Sequence, residues 1–189
     1  SGLIGTTLGL CAGYFGGWVD SVVSYIVTTR LAMPVVLVAL AMAALVGGSL
    51  KVVVLVLGFL LWDRFAVVTR AATQQIRNQD FVSAARAAGL TDLRIIRQEI
   101  LPNIMNALIV VATLEMAHAI LLEAALSFLG LGVQPPLPSW GLMIAEGKQY
   151  MFFQPWVITI PGVALLLLVL AINLLGDGLR DITAPEARN

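Results

Sequence analysis

SAARAAGLTDLRIIRQEILPN, residues 83–103, is the longest stretch of this sequence too polar to sit in lipid, and apolar runs flank it on both sides. Phe81, Ala84, Ala85 and Ala88 fall at i, i+3, i+4 and i+7, the spacing of one helix face. Gly89 interrupts that helix, Thr91 or Asp92 caps a second one, and Leu93, Ile96 and Ile100 form its apolar stripe. Pro102 closes the unit. The pattern predicts two short amphipathic helices joined by a glycine turn and lying between two membrane spans. The alanine-rich face leaves room for another protein surface; the alternative is a solvated connector folded onto its own bundle.

The rest of the chain sets the environment. Of its 189 residues 59% are hydrophobic and 12% charged, and the mean hydropathy is +0.94. That composition belongs to a polytopic helical membrane protein rather than a soluble domain. A net charge of zero gives nucleic-acid binding no electrostatic support. The single Cys11 excludes an intrachain disulfide and a cysteine-based zinc cluster. The first residues carry neither an initiator Met nor the pattern of a signal peptide.

Leu3 to Ala12 is apolar but short of the roughly 20 residues that cross a bilayer core, so it reads as the end of a span whose start lies upstream. Gly13 to Asp20, GYFGGWVD, reads as a glycine turn with Tyr14 and Trp18 at interfacial depth. Further spans are expected at Val22 to Val46 (kinked at Pro34), Val52 to Val68, Ile104 to Leu126 and Trp156 to Leu175. Gly47 to Lys51 is a tight turn. Ser127 to Gln154 is a long connector with Pro135, Pro136 and Pro138, and its aromatic density predicts packed structure at an interface. With alternating spans, Arg70, Arg77, Arg86, Arg94, Arg97, Arg180 and Arg188 share one side, and Lys51 and Lys148 the other. The positive-inside rule then puts the 83–103 stretch and the C-terminus in the cytoplasm.

Ala84, Ala85, Gly89, Ile100, Leu101 and Pro102 follow the order A-A-x-x-x-G then I-L-P, which resembles the EAA loop of permease subunits of binding-protein-dependent ABC importers; Ser83 stands where that loop has an acidic residue. AGYFGGWVD (Ala12 to Asp20), EAALSFLGLGVQPPLPSWG (Glu123 to Gly141) and NLLGDGLRD (Asn173 to Asp181) resemble the C-type permease of dipeptide, oligopeptide and nickel importers. The chain departs from that pattern at Tyr25, Thr28 and Val67. The resemblance implies an all-α, polytopic transmembrane bundle like a type I ABC importer permease. It implies one transmembrane domain over 1–189 carrying a cytoplasmic two-helix coupling loop at 76–102. In that family the loop docks on an ATPase subunit, which here implicates Phe81, Val82, Ser83, Ala84, Ala85, Arg86, Ala88, Gly89, Leu90 and Asp92. The implied partners are a homologous permease, two ATPase subunits holding the ATP and Mg, and an extracytoplasmic solute-binding protein. The implied location is the inner membrane, and the implied cargo is a di- or oligopeptide, with nickel chelates, glutathione-like peptides and oligosaccharides as alternatives.

Glu115, His118 and Glu123 share the fourth expected span, where burying an ionisable group in lipid is costly. Glu115 and His118, at i and i+3, share a face and suit a structural pair, a translocation path or part of a metal site, though two ligands make a weak metal signal. No metal is expected. Glu123 points elsewhere and suits either the path or a brace for the outer connector. The chain has no Walker A, HExxH or GxSxG pattern, so it is expected to be neither the ATPase nor an enzyme. A secondary transporter or channel would have to be built on these same three residues, and an intramembrane enzyme on Glu115 and His118.

Overall fold

Residues 1–183 are described by a computed structural model. All regular structure among them is helical: α1 (Gly2–Phe15), α2 (Gly17–Leu31), α3 (Val35–Val46), α4 (Leu50–Leu60), α5 (Asp63–Ile76), α6 (Asp80–Ala87), α7 (Asp92–Ile95), α8 (Leu101–Phe128), α9 (Trp140–Gly147) and α10 (Trp156–Thr183). They form two compact units. Among the described residues, the first holds Ser1–Ala32, Leu61–Ala112 and 177–183; the second holds Met33–Leu60 and Thr113–Gly176.

Among the described residues, three helical stretches are long and apolar enough to cross a membrane: Leu50–Ile76, Asp92–Phe128 and Trp156–Ile182. Each outruns the span expected from hydropathy, because polar turns continue the helix past the lipid-compatible segment. The expected kinked span at 22–46 is instead two helices. α2 ends at Leu31, and Pro34 (φ −60°, ψ 113°) is the N-cap of α3. Proline has no N–H to donate and pushes the residue before it out of helical geometry, so the helix stops and restarts.

In the first unit α1 lies against α5 along three glycines spaced four apart. A Cβ at Gly5 would sit 2.1 Å from the Trp62 carbonyl oxygen, one at Gly9 2.6 Å from the Ala66 carbonyl oxygen, and one at Gly13 2.6 Å from Thr73 Cβ. Ala66, Thr69 and Thr73 present the matching small face of α5, and all three are buried. Small-xxx-small spacing lets helix backbones approach closely, which is the main route to van der Waals contact where lipid removes the hydrophobic drive. Val23 and Val27 of α2 close over Ala12, Trp62 and Ala66. Asp20 ties α2 to α5: Arg70 Nε and Nη2 both donate to its carboxylate, the latter at 2.8 Å, and Gln74 Nε2 donates at 3.3 Å.

In the second unit α8 and α10 meet at Gly176, where a Cβ would lie 2.3 Å from Thr113 Oγ1. The 127–154 connector carries α9 and a 3₁₀ turn at Lys148–Tyr150, but the aromatics expected to pack there do not: Tyr150, Phe152 and Phe153 are exposed.

A leucine at Gly9 has no room, since the nearest atoms are the Ala66 carbonyl oxygen, Thr69 Cβ and the Arg70 nitrogen, all fixed to the α5 backbone. Overpacking costs about 1–3 kcal/mol where side chains can yield, and more is expected here. Gly9→Leu should lower the thermal unfolding midpoint of the solubilised protein by several degrees, whereas Gly58→Leu, with nothing within 4 Å of a Cβ, should leave it unchanged.

Candidate functional site

The loop begins where α5 ends. Arg77 Nη1 donates to the carbonyls of Gly13 (2.9 Å) and Tyr14 (3.3 Å), pinning the start of the loop to the end of α1. α6 then terminates in a Schellman turn. The Gly89 N–H bonds the Arg86 carbonyl, the Leu90 N–H bonds the Ala85 carbonyl, and Gly89 has φ +80°. This is the left-handed position that glycine takes without a Cβ penalty. The space around Gly89 is open, so the demand for glycine is purely conformational.

Thr91 occupies the N-cap of α7, but its side chain makes no capping bond. Asp92 is instead turned toward α1, where its Oδ1 accepts a 2.6 Å hydrogen bond from the Tyr14 hydroxyl. The apolar stripe also differs from expectation: Leu93 is 76% exposed, while Ile95, Ile100 and Ile104 are buried. A π-wound turn over Ile96–Ile100 causes this. The Leu101 N–H bonds the Ile96 carbonyl five residues back, which keeps Ile95 and Ile100 on one face. Pro102 does not close the unit. It sits in the first turn of α8, where the π turn just before it relaxes the backbone that a proline would otherwise strain.

Of the loop residues expected to meet an ATPase, Val82 does something else. It is fully buried against Tyr14, Ile95, Ile100 and Ile104, and so anchors α6 to its own bundle. Tyr14, expected at interfacial depth, is the buried aromatic at the centre of this cluster. Ala85 packs against the same cluster and Leu90 is half-buried. Phe81, Ser83, Ala84, Arg86, Ala88 and Gly89 remain exposed. Arg86 lies over the Tyr14 ring at 5.7 Å and donates to its hydroxyl at 3.5 Å. That hydrogen bond raises the guanidinium above its already high range, so it is a permanent cation.

The second cluster lies within the second unit. Glu115 is 4% exposed and its Oε2 is 3.6 Å from His118 Nδ1, close enough for ion pairing and too far for a hydrogen bond. Glu123 bonds within its own helix. Its Oε1 accepts from Ser127 Oγ at 2.6 Å, and Ser127 Oγ in turn accepts from the Val133 N–H at 3.0 Å. Glu123 therefore braces the connector. Gly132 and Gly141 fit where a Cβ would strike Ser127 Oγ at 2.1 Å and the Ala124 carbonyl oxygen at 2.3 Å. A cavity of about 530 Å³ is lined by α4, α8, α9 and α10; Glu123 contributes to it, while Glu115 and His118 do not.

Sequence reasoning missed the α1 ridge, although Gly5, Gly9 and Gly13 carry a G-x-x-x-G-x-x-x-G pattern that could have found it. It also missed Tyr14 as a partner of Asp92. Nothing local marks a contact 78 residues apart.

Residues 5–189 match the family model described as binding-protein-dependent transport system inner membrane component. The chain is 41% identical over 187 residues to the dipeptide transport system permease protein of Alkalihalophilus pseudofirmus, covering 99% of this chain and 62% of that one. It is 43% identical over 185 residues to the di/tripeptide transport system permease protein of Pseudomonas aeruginosa, covering 98% and 61%. It is 38% identical over 187 residues to the glutathione transport system permease protein of Pectobacterium atrosepticum, covering 99% and 62%. The chain thus spans less than two thirds of the length of these relatives. Its fold is similar to a chain of the inward-facing MetNI methionine ABC transporter, with a TM-score of 0.74 and 21% identity over 95% of this chain and 86% of that one. The resemblance drawn from the three motifs holds.

Ser127→Ala removes the acceptor of the buried Val133 N–H and the donor to Glu123. An unmade buried hydrogen bond costs about 1–3 kcal/mol. The expected result is a lowered unfolding midpoint together with faster proteolysis within residues 130–139 of the solubilised protein.

Proposed function

We propose that this chain, which belongs to the family of binding-protein-dependent transport system inner membrane components, is the core of a permease subunit in an ATP-driven importer of di- or oligopeptides. It pairs with a homologous permease, two ATPase subunits and an extracytoplasmic binding protein. ATP and Mg belong to the ATPase subunits, and this chain carries no catalytic residue. The observation that carries the reading is the division of α6 into two faces. Val82 fastens one face to the bundle, while Phe81 stands exposed on the other and the exposed Ala84, with Ala88 at the C-cap, leaves room for a partner to come close. The peptide cargo follows the relatives, whose names specify dipeptides, di- and tripeptides and glutathione.

In this reading ATP-driven closure of the ATPases moves the docked loop and shifts the bundle between inward- and outward-facing states. The loop and the C-terminus face the cytoplasm, supported by the side shared by Arg70, Arg77, Arg86, Arg94, Arg97 and Arg180; Arg188 lies outside the described residues. Glu115 and His118 are candidates for lining the translocation path, and Glu123 for lining it as well as bracing the connector.

The test is ATP hydrolysis by the reconstituted complex in proteoliposomes. Peptide-loaded binding protein should stimulate it, and an unstimulated complex would exclude this reading in favour of a transporter without an ATPase. For orientation, cysteines at Asn78 and Gln149 should label from opposite sides of the membrane. Labelling of both from outside would reverse the assignment. For coupling, Gly89→Val forces a β-branched residue into left-handed geometry at about 1–2 kcal/mol. The variant should insert and assemble, yet lose peptide-stimulated hydrolysis and transport.

A further inference from the structure

Tyr14, with Leu10 packed beside it, carries α1 into the hollow formed by the loop helices. Its ring packs with Val82 of α6 and with Ile95, Ile100 and Ile104 of the helical run that follows. Apolar packing of this kind is non-directional and tolerates sliding. The hydroxyl adds a direction: it donates to Asp92 Oδ1 at 2.6 Å, and Arg86 approaches it from α6 at 3.5 Å. One side chain therefore touches both loop helices, one on each side of the Gly89 turn. Behind Tyr14, Gly5, Gly9 and Gly13 seat α1 on the backbone of α5 without slack. A displacement of α6 and α7 has a stiff path into α1 and α5 as long as the hydroxyl holds its acceptor.

We propose that Tyr14 is a positioning residue for coupling: its hydrogen bond to Asp92 locks the loop to α1, so that movement of the loop becomes movement of the membrane helices. This rests on the importer reading above. It also assigns Asp92 an inward role, since its carboxylate serves Tyr14 rather than an ATPase surface.

The experiment uses the full complex in proteoliposomes with its binding protein and a defined pool of di- and tripeptides. It measures basal hydrolysis, peptide-stimulated hydrolysis, uptake, and the amount of ATPase subunit retained. Tyr14→Phe keeps the ring and the packing and deletes the hydroxyl. It should retain assembly and basal hydrolysis while the stimulated increment and uptake fall about tenfold, the scale of losing one hydrogen bond to a charged acceptor. Asp92→Ala, at an exposed position, should match it, and the double variant should be no worse than either single one. Asp92→Asn retains an oxygen acceptor and should recover most of the stimulation. Tyr14→Phe and Asp92→Ala with wild-type stimulation would overturn the proposal, as would additive losses in the double variant or a loss explained entirely by missing ATPase subunits. A wild-type complex that peptide fails to stimulate would overturn the importer reading and this proposal with it.

Discussion

The distance between α1 and α5 is the constraint from which the first unit follows. At Gly5, Gly9 and Gly13 the gap is narrower than a methyl group requires, so the two helices touch backbone to backbone. Such contact is available only to a sequence that places small residues four apart on one helix and Ala66, Thr69 and Thr73 on the other. With α1 seated, its C-terminal carbonyls at Gly13 and Tyr14 fall within reach of Arg77. Tyr14 then reaches the loop, and α2 returns along α5 so that Asp20 meets Arg70 and Gln74. Each polar contact is a consequence of the close approach and guards its register.

The loop meets two demands at once. It must be fixed to the bundle and still present a surface. α6 divides these roles around its axis, with Val82 buried and the alanines open. The following helix solves a different problem, because it leaves the loop and enters the membrane without a break. The π turn at Ile96–Ile100 shifts the apolar register by one residue and admits Pro102 into the helix. Membrane helices tolerate such adjustments when neighbouring elements satisfy the freed backbone groups.

In the second unit the connector is held by a relay of three groups, Glu123, Ser127 and the Val133 N–H. A carboxylate within an apolar helix is expensive unless its oxygens are engaged. Engagement with Ser127 lowers that cost, and the same hydroxyl satisfies a backbone donor that has left the helix. The EAALSFLGLG segment is thus a structural unit: Glu123 and Ser127 supply the bonds, and Gly132 supplies the clearance.

The sequence by itself determined the helical class, the amphipathic loop and its glycine turn, because these depend on local quantities. Hydropathy, helical periodicity and the left-handed preference of glycine act over a few residues. It also carried the three motifs that tied the chain to its family. What it misplaced are features set by contacts distant in sequence. Leu93 and Ile95 are equally apolar, and only the π turn and the Tyr14 cluster decided which is buried. Asp92 fits a helix cap by position, but a 2.6 Å hydrogen bond from a tyrosine 78 residues away turned it elsewhere. The span ends ran past the hydropathy limits for the same reason. A polar helical turn such as Thr69 to Thr73 is stable when α1 supplies a close-fitting face, and no window of sequence contains both helices.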